Sequence, residues 1–574
     1  AWFTATMGIP PNTGKWYWEF ADEIYIDADT FGGTYPDGWG MGLLADDGHA
    51  ALAGDTDISN NGWWFSKSNN NVGTSRARGG STSSENKRVP STATGVFKCC
   101  YDSDNGAFWF GGDLGWTSSS TTSTPETSDQ PGSGNDLWDS GTGVGFSGYT
   151  VIPAWATINA GGNLSQLRFN FGQDSTFAGI RSGVSGTAGN PSGGGYGGNT
   201  DANGYGDFFY EVPTGFKALC TANLSVPEIV DPTKHFNTKL YTGTGSELAV
   251  TGVGFQPDFS WLKTRATQTY NHRVFDVVRG VTKEIYTNVN NAEVTDAQSL
   301  KTFDSDGFTL GTSSGVNQSG VTFASWHWKA AASNTSVSAG SIDGTNPTIA
   351  TTRRTNTTAG FSIVSYTGTG ANATVAHGLS VAPELVIVKN RDSTQEWPVG
   401  ANQLDGGSWA KYLGLSDTSG ESGGASRFNS TAPTSTVVSI GTSDATNKNT
   451  EDHIMYCFHS VAGFSKIGKY NGNGNSDGKF IYTGFRPAFL MVKLITAADG
   501  YWVMFDNKRD PDNPTDRVFY ANETSISTDV SSYHPYDLLS NGFKGRIPAG
   551  DGNEASYNTV GETYIYLAFA ESPF

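Results

Sequence analysis

The chain has 574 residues, of which 16 % are charged and 13 % aromatic, with 74 glycines. That length predicts three to five domains of roughly 100–200 residues, and the aromatic content excludes a disordered chain. Lys+Arg 36 against Asp+Glu 55 leaves a net charge of −19, which speaks against nucleic acid or anionic membrane as partners. No apolar run approaches the roughly 18 residues of a spanning helix, and no signal-peptide pattern stands at Ala1.

In chain order, short runs of β-branched and aromatic residues alternate with Gly, Asn, Asp and Ser, as at 15–20, 108–110, 385–389 and 564–569. No segment holds a 3.6-residue period for four turns. The fold class predicted is all-β and multidomain: a β-sandwich followed by three tandem sandwich-like modules. The Ser/Thr/Pro-rich stretch 117–135 and the Gly-rich stretch 182–206 read as surface loops. The polar stretch 333–360 reads as an interdomain linker.

The opening 222 residues carry Gly14-Lys15-Trp16-Tyr17-Trp18-Glu19-Phe20, then Gly38-Trp39-Gly40-Met41-Gly42-Leu43. Gly95-Val96-Phe97-Lys98-Cys99-Cys100-Tyr101-Asp102 and Phe108-Trp109-Phe110 follow, then Ile152-Pro153-Ala154 and Leu167-Arg168-Phe169-Asn170-Phe171-Gly172. In this order the motifs resemble a SPRY domain, a lectin-like β-sandwich. The resemblance implies a binding or structural module whose ligand is set by its loops. The insertions at 117–135 and 182–206 and two extra strands, at 208–212 and 216–219, depart from that pattern.

Beyond residue 235 the sequence repeats itself. Tyr241-Thr-Gly-Thr-Gly245 returns as Tyr366-Thr-Gly-Thr-Gly370 and as Tyr470-Asn-Gly-Asn-Gly474. Pro257, Pro383 and Pro487 follow at 16, 17 and 17 residues, and Lys263, Lys389 and Lys493 stand six residues beyond each Pro. The first and third copies share Phe-Asp-x-x-Arg (Phe275, Asp276, Arg279; Phe505, Asp506, Arg509), whereas the middle copy has Trp397 and Val399 nearby. Each copy closes on an aromatic strand: 323–328, 453–458 and 564–569. Three homologous modules are therefore expected at 235–332, 361–460 and 464–574, with segments 236–331, 361–460 and 464–572 superposing. The three prolines belong at equivalent strand starts, because Pro cannot donate to a ladder. The phrases at 254–259 (GFQPDF) and 303–311 (FDSDGFTLG) resemble structural proteins of tailed bacteriophages, especially marine ones, which implies a virion component.

Candidate chemistry is sparse. Gly311-Thr-Ser313-Ser-Gly315 matches a hydrolase elbow, but the residues after it open no helix, so it reads as a turn. Gly193, Gly195 and Gly198 spell a dinucleotide fingerprint without flanking strand and helix. Asp102 with Asp104, and Asp304 with Asp306, have the spacing that starts a calcium loop but lack its later Glu; they read as hairpin turns. Cys99, Cys100, Cys220 and Cys457 read as buried free thiols in strands. His327, and His453 with His459, read as exposed alternate positions of strands. Trp16, Trp18 and Trp109 are core candidates. Tyr35, Trp39, Trp116 and Trp138 fall in or beside loops, where rings can stack on a sugar or a partner protein.

The function expected is a non-enzymatic virion structural protein, namely a fibre, spike or decoration, that assembles on the particle and adheres to the host surface. Its expected partners are other virion proteins, copies of itself in a homotrimer, and a host glycan or protein; neither cofactor nor metal is expected, and neither nucleic acid nor membrane insertion. The alternative is a secreted or cell-surface carbohydrate-binding adhesin. A polysaccharide depolymerase ranks third, since no parallel β-helix repeat occurs.

Overall fold

The computed structural model describes residues 2–4, 7–22, 38–45, 61–68, 71–78, 81–85, 96–112, 115–116, 150–158, 167–178, 197–224, 227–266, 268–341, 347–474, 478–498, 500–530, 535–546 and 557–573. The chain is all-β and divides into two compact units, Ala1–Ser225 and Val226–Phe574.

In the first unit, one antiparallel sheet runs in the order Trp2–Thr4, Val151–Ile158, Gly38–Ala45, Asn61–Ser68, Asn71–Arg78, Ser81–Glu85. The second runs Leu167–Asn170, Lys15–Asp22, Val96–Asp102, Ala107–Gly112, Gly115–Trp116. Side chains alternate across a strand. Trp16, Trp18 and Phe20 therefore pack with Phe97, Cys99, Phe108 and Phe110 on one face. Tyr17, Cys100, Trp109 and Trp116 form the other, covered by Phe208, Val212 and Phe216. The extra strands expected at 208–212 and 216–219 shrink to a single bridge between Phe208 and Asn199 and a two-residue strand, Lys217–Ala218, parallel to Trp16–Tyr17. The cause is local. The amides of Phe209 and Tyr210 are turned onto the Glu19 carboxylate instead of onto a neighbouring strand.

In the second unit the large sheet of the first module runs Phe236–Thr242, Thr322–Trp328, Phe259–Thr264, Arg273–Asp276, Lys283–Tyr286, Val294–Thr295. The third module repeats this order with Ser465–Asn471, Thr563–Ala570, Pro487–Leu494, Trp502–Asp506, Arg517–Tyr520, Thr528–Asp529. The second does so with Phe361–Thr367, Asp452–Phe458, Leu385–Asn390, Pro398–Ala401, Lys411–Gly414, Ser422–Gly423. A smaller sheet backs each one, for example Leu248–Thr251, Gly307–Leu310 and Leu300–Asp304 in the first module. The registers coincide. Phe259, Leu385 and Phe489, each two residues past the repeat Pro, pair with Trp328, Phe458 and Phe569. The repeat lysines pair with Ala324, Ile454 and Ile565.

The stretch 333–360 is not a bare linker. Thr335–Val337 and Thr351–Asn356 are strands added to the outer edge of the second module's sheet, beside Phe361–Thr367. Each module keeps a core of its own between its two sheets, as with Val250, Leu262, Phe275 and Phe308 in the first, but a further core is shared. Each large sheet has one face toward its own small sheet and the other toward a single aromatic core built from all three, including Phe236, Trp326 and Trp328, Phe361, Tyr456 and Phe458, and Phe489, Leu567 and Phe569. Burying that second face is what makes three modules one unit.

Candidate functional site

The Tyr-x-Gly-x-Gly repeat has one structural meaning in all three copies. Each Tyr hydroxyl donates to a backbone carbonyl: Tyr241 to Val316 (2.8 Å), Tyr366 to Thr446 (2.6 Å), Tyr470 to Tyr557 (2.8 Å). The next residue is a buried Asn. Asn317 accepts from the Thr244 amide and donates to Ser246 and Gly311 carbonyls; Asn447 accepts from Thr369 and donates to Ala371 and Gly441. Asn558 accepts from the Asn473 amide. The first Gly of each motif lies so close to a carbonyl that a Cβ on Gly243, Gly368 or Gly472 would collide with the oxygen of Gln318, Lys448 or Thr559. These asparagines were not singled out in the sequence, because their distance from the motif, unlike that of the Pro and Lys, runs through the whole module.

The modules meet in a cyclic pattern. The residue two past each repeat Lys accepts an amide from the next module: Glu293 N–H donates to Arg391 O (2.7 Å), Ser527 to Arg265 (3.1 Å) and Glu421 to Ile495 (2.7 Å). The second module thus docks on the first, the first on the third and the third on the second. Each repeat Lys is fully buried at such a seam. Lys263 donates to the carbonyls of Tyr270 (2.7 Å) and of Thr524 in the third module (2.8 Å). Lys389 donates to Gln395 (2.7 Å) and to Asn290 in the first (2.9 Å), and Lys493 to Gly500 (2.5 Å). Burial lowers Lys263, with help from the Arg273 charge, and Lys389 to about 7. Trp397 donates to Tyr286 O of the first module (3.0 Å) and Trp502 to Gly414 O of the second (2.8 Å). His272 holds the corresponding place in the first module, its ring 6.0 Å from Phe519 of the third. A cavity of about 20 Å³, room for about one water-sized molecule, lies in the common core between Trp261, Tyr456 and Met491.

The Phe-Asp-x-x-Arg motif sits at these seams. Asp276 pairs with Arg279 at 2.6 Å and accepts the Tyr456 hydroxyl of the second module at 2.8 Å. Asp506 pairs with Arg509 at 2.5 Å and accepts Trp326 Nε1–H of the first at 3.1 Å. By register the second module has Ala401 where these have Asp, hence Leu404 where they have Arg, and Leu567 stands in the third where the others have Trp326 and Tyr456. All three of these apolar residues belong to the common core.

Of the residues read as a binding set, Tyr35 and Trp138 lie outside the described residues, and Trp39 is on the strand Gly38–Ala45. Trp116 is 6 % exposed, packed under Phe208 and Phe216, with Lys98 Nζ 4.7 Å from its ring centroid. Little of that ring is left to stack on a ligand. Below the same cover Glu19 is fully buried and accepts from Tyr17 Oη (2.8 Å), Asn170 Nδ2 (3.3 Å) and the Phe209 and Tyr210 amides (both 2.8 Å). Burial pushes its carboxyl up to about 7 against those four donors.

Several expectations change. His327 and His453 are fully buried, because the alternate face of their strands is covered by the second sheet, not by solvent. His327 lies between Ser260 (2.9 Å) and Ser325 (2.8 Å), and burial lowers it to about 3. A one-turn helix, Ser314–Asn317, does follow Ser313; its role is to place Asn317. Cys99, Cys100 and Cys457 are buried free thiols in strands, whereas Cys220 is half-buried in a turn. Asp102 caps its own turn through the Asp104 and Asn105 amides, and Asp306 binds the amides of Gly252 and Gly254. Asp304 accepts from Thr302 and Thr309. Gly193 and Gly195 lie outside the described residues. Among the described residues, no three His, Cys, Asp or Glu side chains gather to hold a metal ion, and no helix is long and apolar enough to cross a membrane.

The family described as "Domain of unknown function (DUF7483)" matches residues 231–573, the three modules taken together. The chain belongs to the DUF7483 family. No curated protein matches the chain. In this DUF7483 chain the match, 231–573, falls within the second compact unit, Val226–Phe574, and spans all three repeats.

Proposed function

We propose that this chain is a non-enzymatic structural protein of a bacteriophage particle, a fibre, spike or decoration, that assembles with other virion proteins and adheres to the host surface. The observation that carries the reading is the closure of three modules on one aromatic core. In such a body the modules are joined by a buried core and by seam hydrogen bonds such as that from Glu293 N–H to Arg391 O. That suits a rigid spacer or platform more than a catalyst. The SPRY resemblance of the first 222 residues adds the adhesive part, with a host glycan or protein as ligand. Low charge supports burial against other proteins, since interface cores are depleted in charged residues. Association of whole chains into a homotrimer belongs to the same proposal. It would multiply a weak receptor contact by about 10²–10⁴ in avidity where geometry allows.

The test is to raise antibodies to the purified chain, locate them on intact particles by electron microscopy, and measure the mass of the free chain at micromolar concentration. Labelling of fibres, spikes or capsid with a threefold mass supports the proposal. Absence from particles, with the chain recovered from culture supernatant and bound to a glycan, would replace it with the adhesin reading.

A further inference from the structure

We propose that the Asp-x-x-Arg motif, its Ala-x-x-Leu replacement and the aromatic residues facing them form an address that fixes which module docks on which. Three handed modules can close a ring in two cyclic orders: second on first, first on third, third on second, as observed, or the reverse. Most seam contacts do not discriminate. The amide bonds to Arg391, Arg265 and Ile495 and the lysine bonds involve backbone carbonyls, which every module offers alike. The ion pair of Arg391 with Glu293 (2.9 and 3.0 Å) is also order-neutral. In the reverse ring Arg265 would face Glu421 and one such pair would again form. The short connection 459–464 leaves both orders within reach. It begins and ends beside the common core, where the Phe569 ring is 6.2 Å from Phe458 and 5.1 Å from Phe236.

The third layer does discriminate. In the observed order Tyr456 meets Asp276 and Trp326 meets Asp506, while Leu567, at the register position of Tyr456 and Trp326, lies with Ala401 and Leu404 in the common core. The two donors of this layer, the Tyr456 hydroxyl and Trp326 Nε1–H, each have an acceptor, and an apolar residue stands where the acid is missing. In the reverse order Trp326 would carry its N–H to Ala401 and Leu404, and Leu567 would cover Asp276 and Arg279. Only Tyr456, now on Asp506, would remain satisfied. A buried donor without an acceptor is disfavoured strongly enough to bias the outcome. The replacement of acid, base and donor together at a single seam is what an address requires, and packing alone does not.

The experiment uses the full chain, unfolded in denaturant and refolded. A reporter pair, Asn290→Cys with Ser416→Cys, spans the seam of the first and second modules, where the native side chains are 2.7 Å apart. Under mild oxidation it links only in the observed order, and peptide mapping separates that link from the four native thiols. In the parent, nearly all refolded protein should link. Exchanging the two acceptor sites (Asp276→Ala, Arg279→Leu, Ala401→Asp, Leu404→Arg) makes the reverse order the satisfied one, so the link should be lost while the protein still folds. Installing a third polar site (Ala401→Asp, Leu404→Arg, Leu567→Tyr) makes both orders equivalent and should leave about half of the protein linked, since equal affinities give equal populations. Linking in both variants as complete as in the parent would show that the connections alone set the order and would overturn the proposal. So would failure of both variants to fold, because in each the layer of acids, bases and aromatic donors is predicted to close with every donor met.

Discussion

The asparagine clasp behind the Tyr-x-Gly-x-Gly turn gives the sharpest quantitative test of the repeat. Asn447→Ala removes one acceptor and two donors from a fully buried position. It strands the Thr369 amide (2.7 Å in the native clasp) and the Gly441 carbonyl (2.8 Å), and leaves the Ala371 carbonyl (2.5 Å) with only the Thr369 hydroxyl at 3.2 Å. Each stranded buried group costs about 1–3 kcal/mol. The carbonyls keep some compensation from their second lone pair, so a total of about 3–5 kcal/mol is expected. Asn317→Ala should cost the same, since its bonds to Thr244, Ser246 and Gly311 are 2.7, 2.5 and 2.7 Å. Asn447→Asp should be no milder: it keeps the acceptor but sets a carboxylate against two carbonyl oxygens. The assay is guanidinium unfolding followed by tryptophan fluorescence, with amide exchange at residues 366–376 as the local readout. Because the three modules share one core, the loss should lower the midpoint of the whole second unit. A change below about 1 kcal/mol, against the 1–3 expected per stranded group, or exchange that rises only far from the turn, would refute the clasp.

Gly368→Ala should destabilise by several kcal/mol because its Cβ would displace the Lys448 carbonyl, whereas Gly423→Ala, with nothing within 4 Å, should be nearly neutral in the same denaturation assay. Glu19 has a carboxyl raised from 4.5 to about 7 in the folded unit. Its contribution to stability is therefore fully present below about pH 4.5 and lost as pH rises through about 7, an effect on the order of 3 kcal/mol. Unfolding midpoints taken across that window should show the fall in the parent and not in Glu19→Gln; a parallel pH profile for both proteins would remove Glu19 as the cause. Under native conditions a thiol reagent should modify Cys220 first. Cys99 and Cys100 are buried with thiols held well above their ordinary range, and Cys457 is pushed up to about 12, so all three should wait for unfolding. Rapid native reaction of more than one thiol would contradict that burial.

Much of this protein is written locally. Period-two alternation in Lys15–Asp22 separates Trp16, Trp18 and Phe20 from Tyr17 and Glu19, and Gly and Asn mark the turns; both depend on residues a few positions apart. The repeat spacing from Tyr to Pro to Lys placed three strands in register, because a Pro tolerated only at a strand start pins the phase of everything after it. The absence of Phe-Asp-x-x-Arg from the middle copy was equally visible in the sequence. What it meant was not, since its counterpart, Leu567, lies in another module and shows only when Tyr456 and Trp326 are seen on the acids they bind. The same separation hid the clasping asparagines, which stand some 75 residues from the turns they hold. It also turned 333–360 from a linker into two edge strands and three expected domains into one. Sequence patterning says that a strand has two faces to bury and with what period. Which partner covers the second face is decided by tertiary closure, because burial energy depends on area removed from water and carries no label of where in the chain the covering residue comes from.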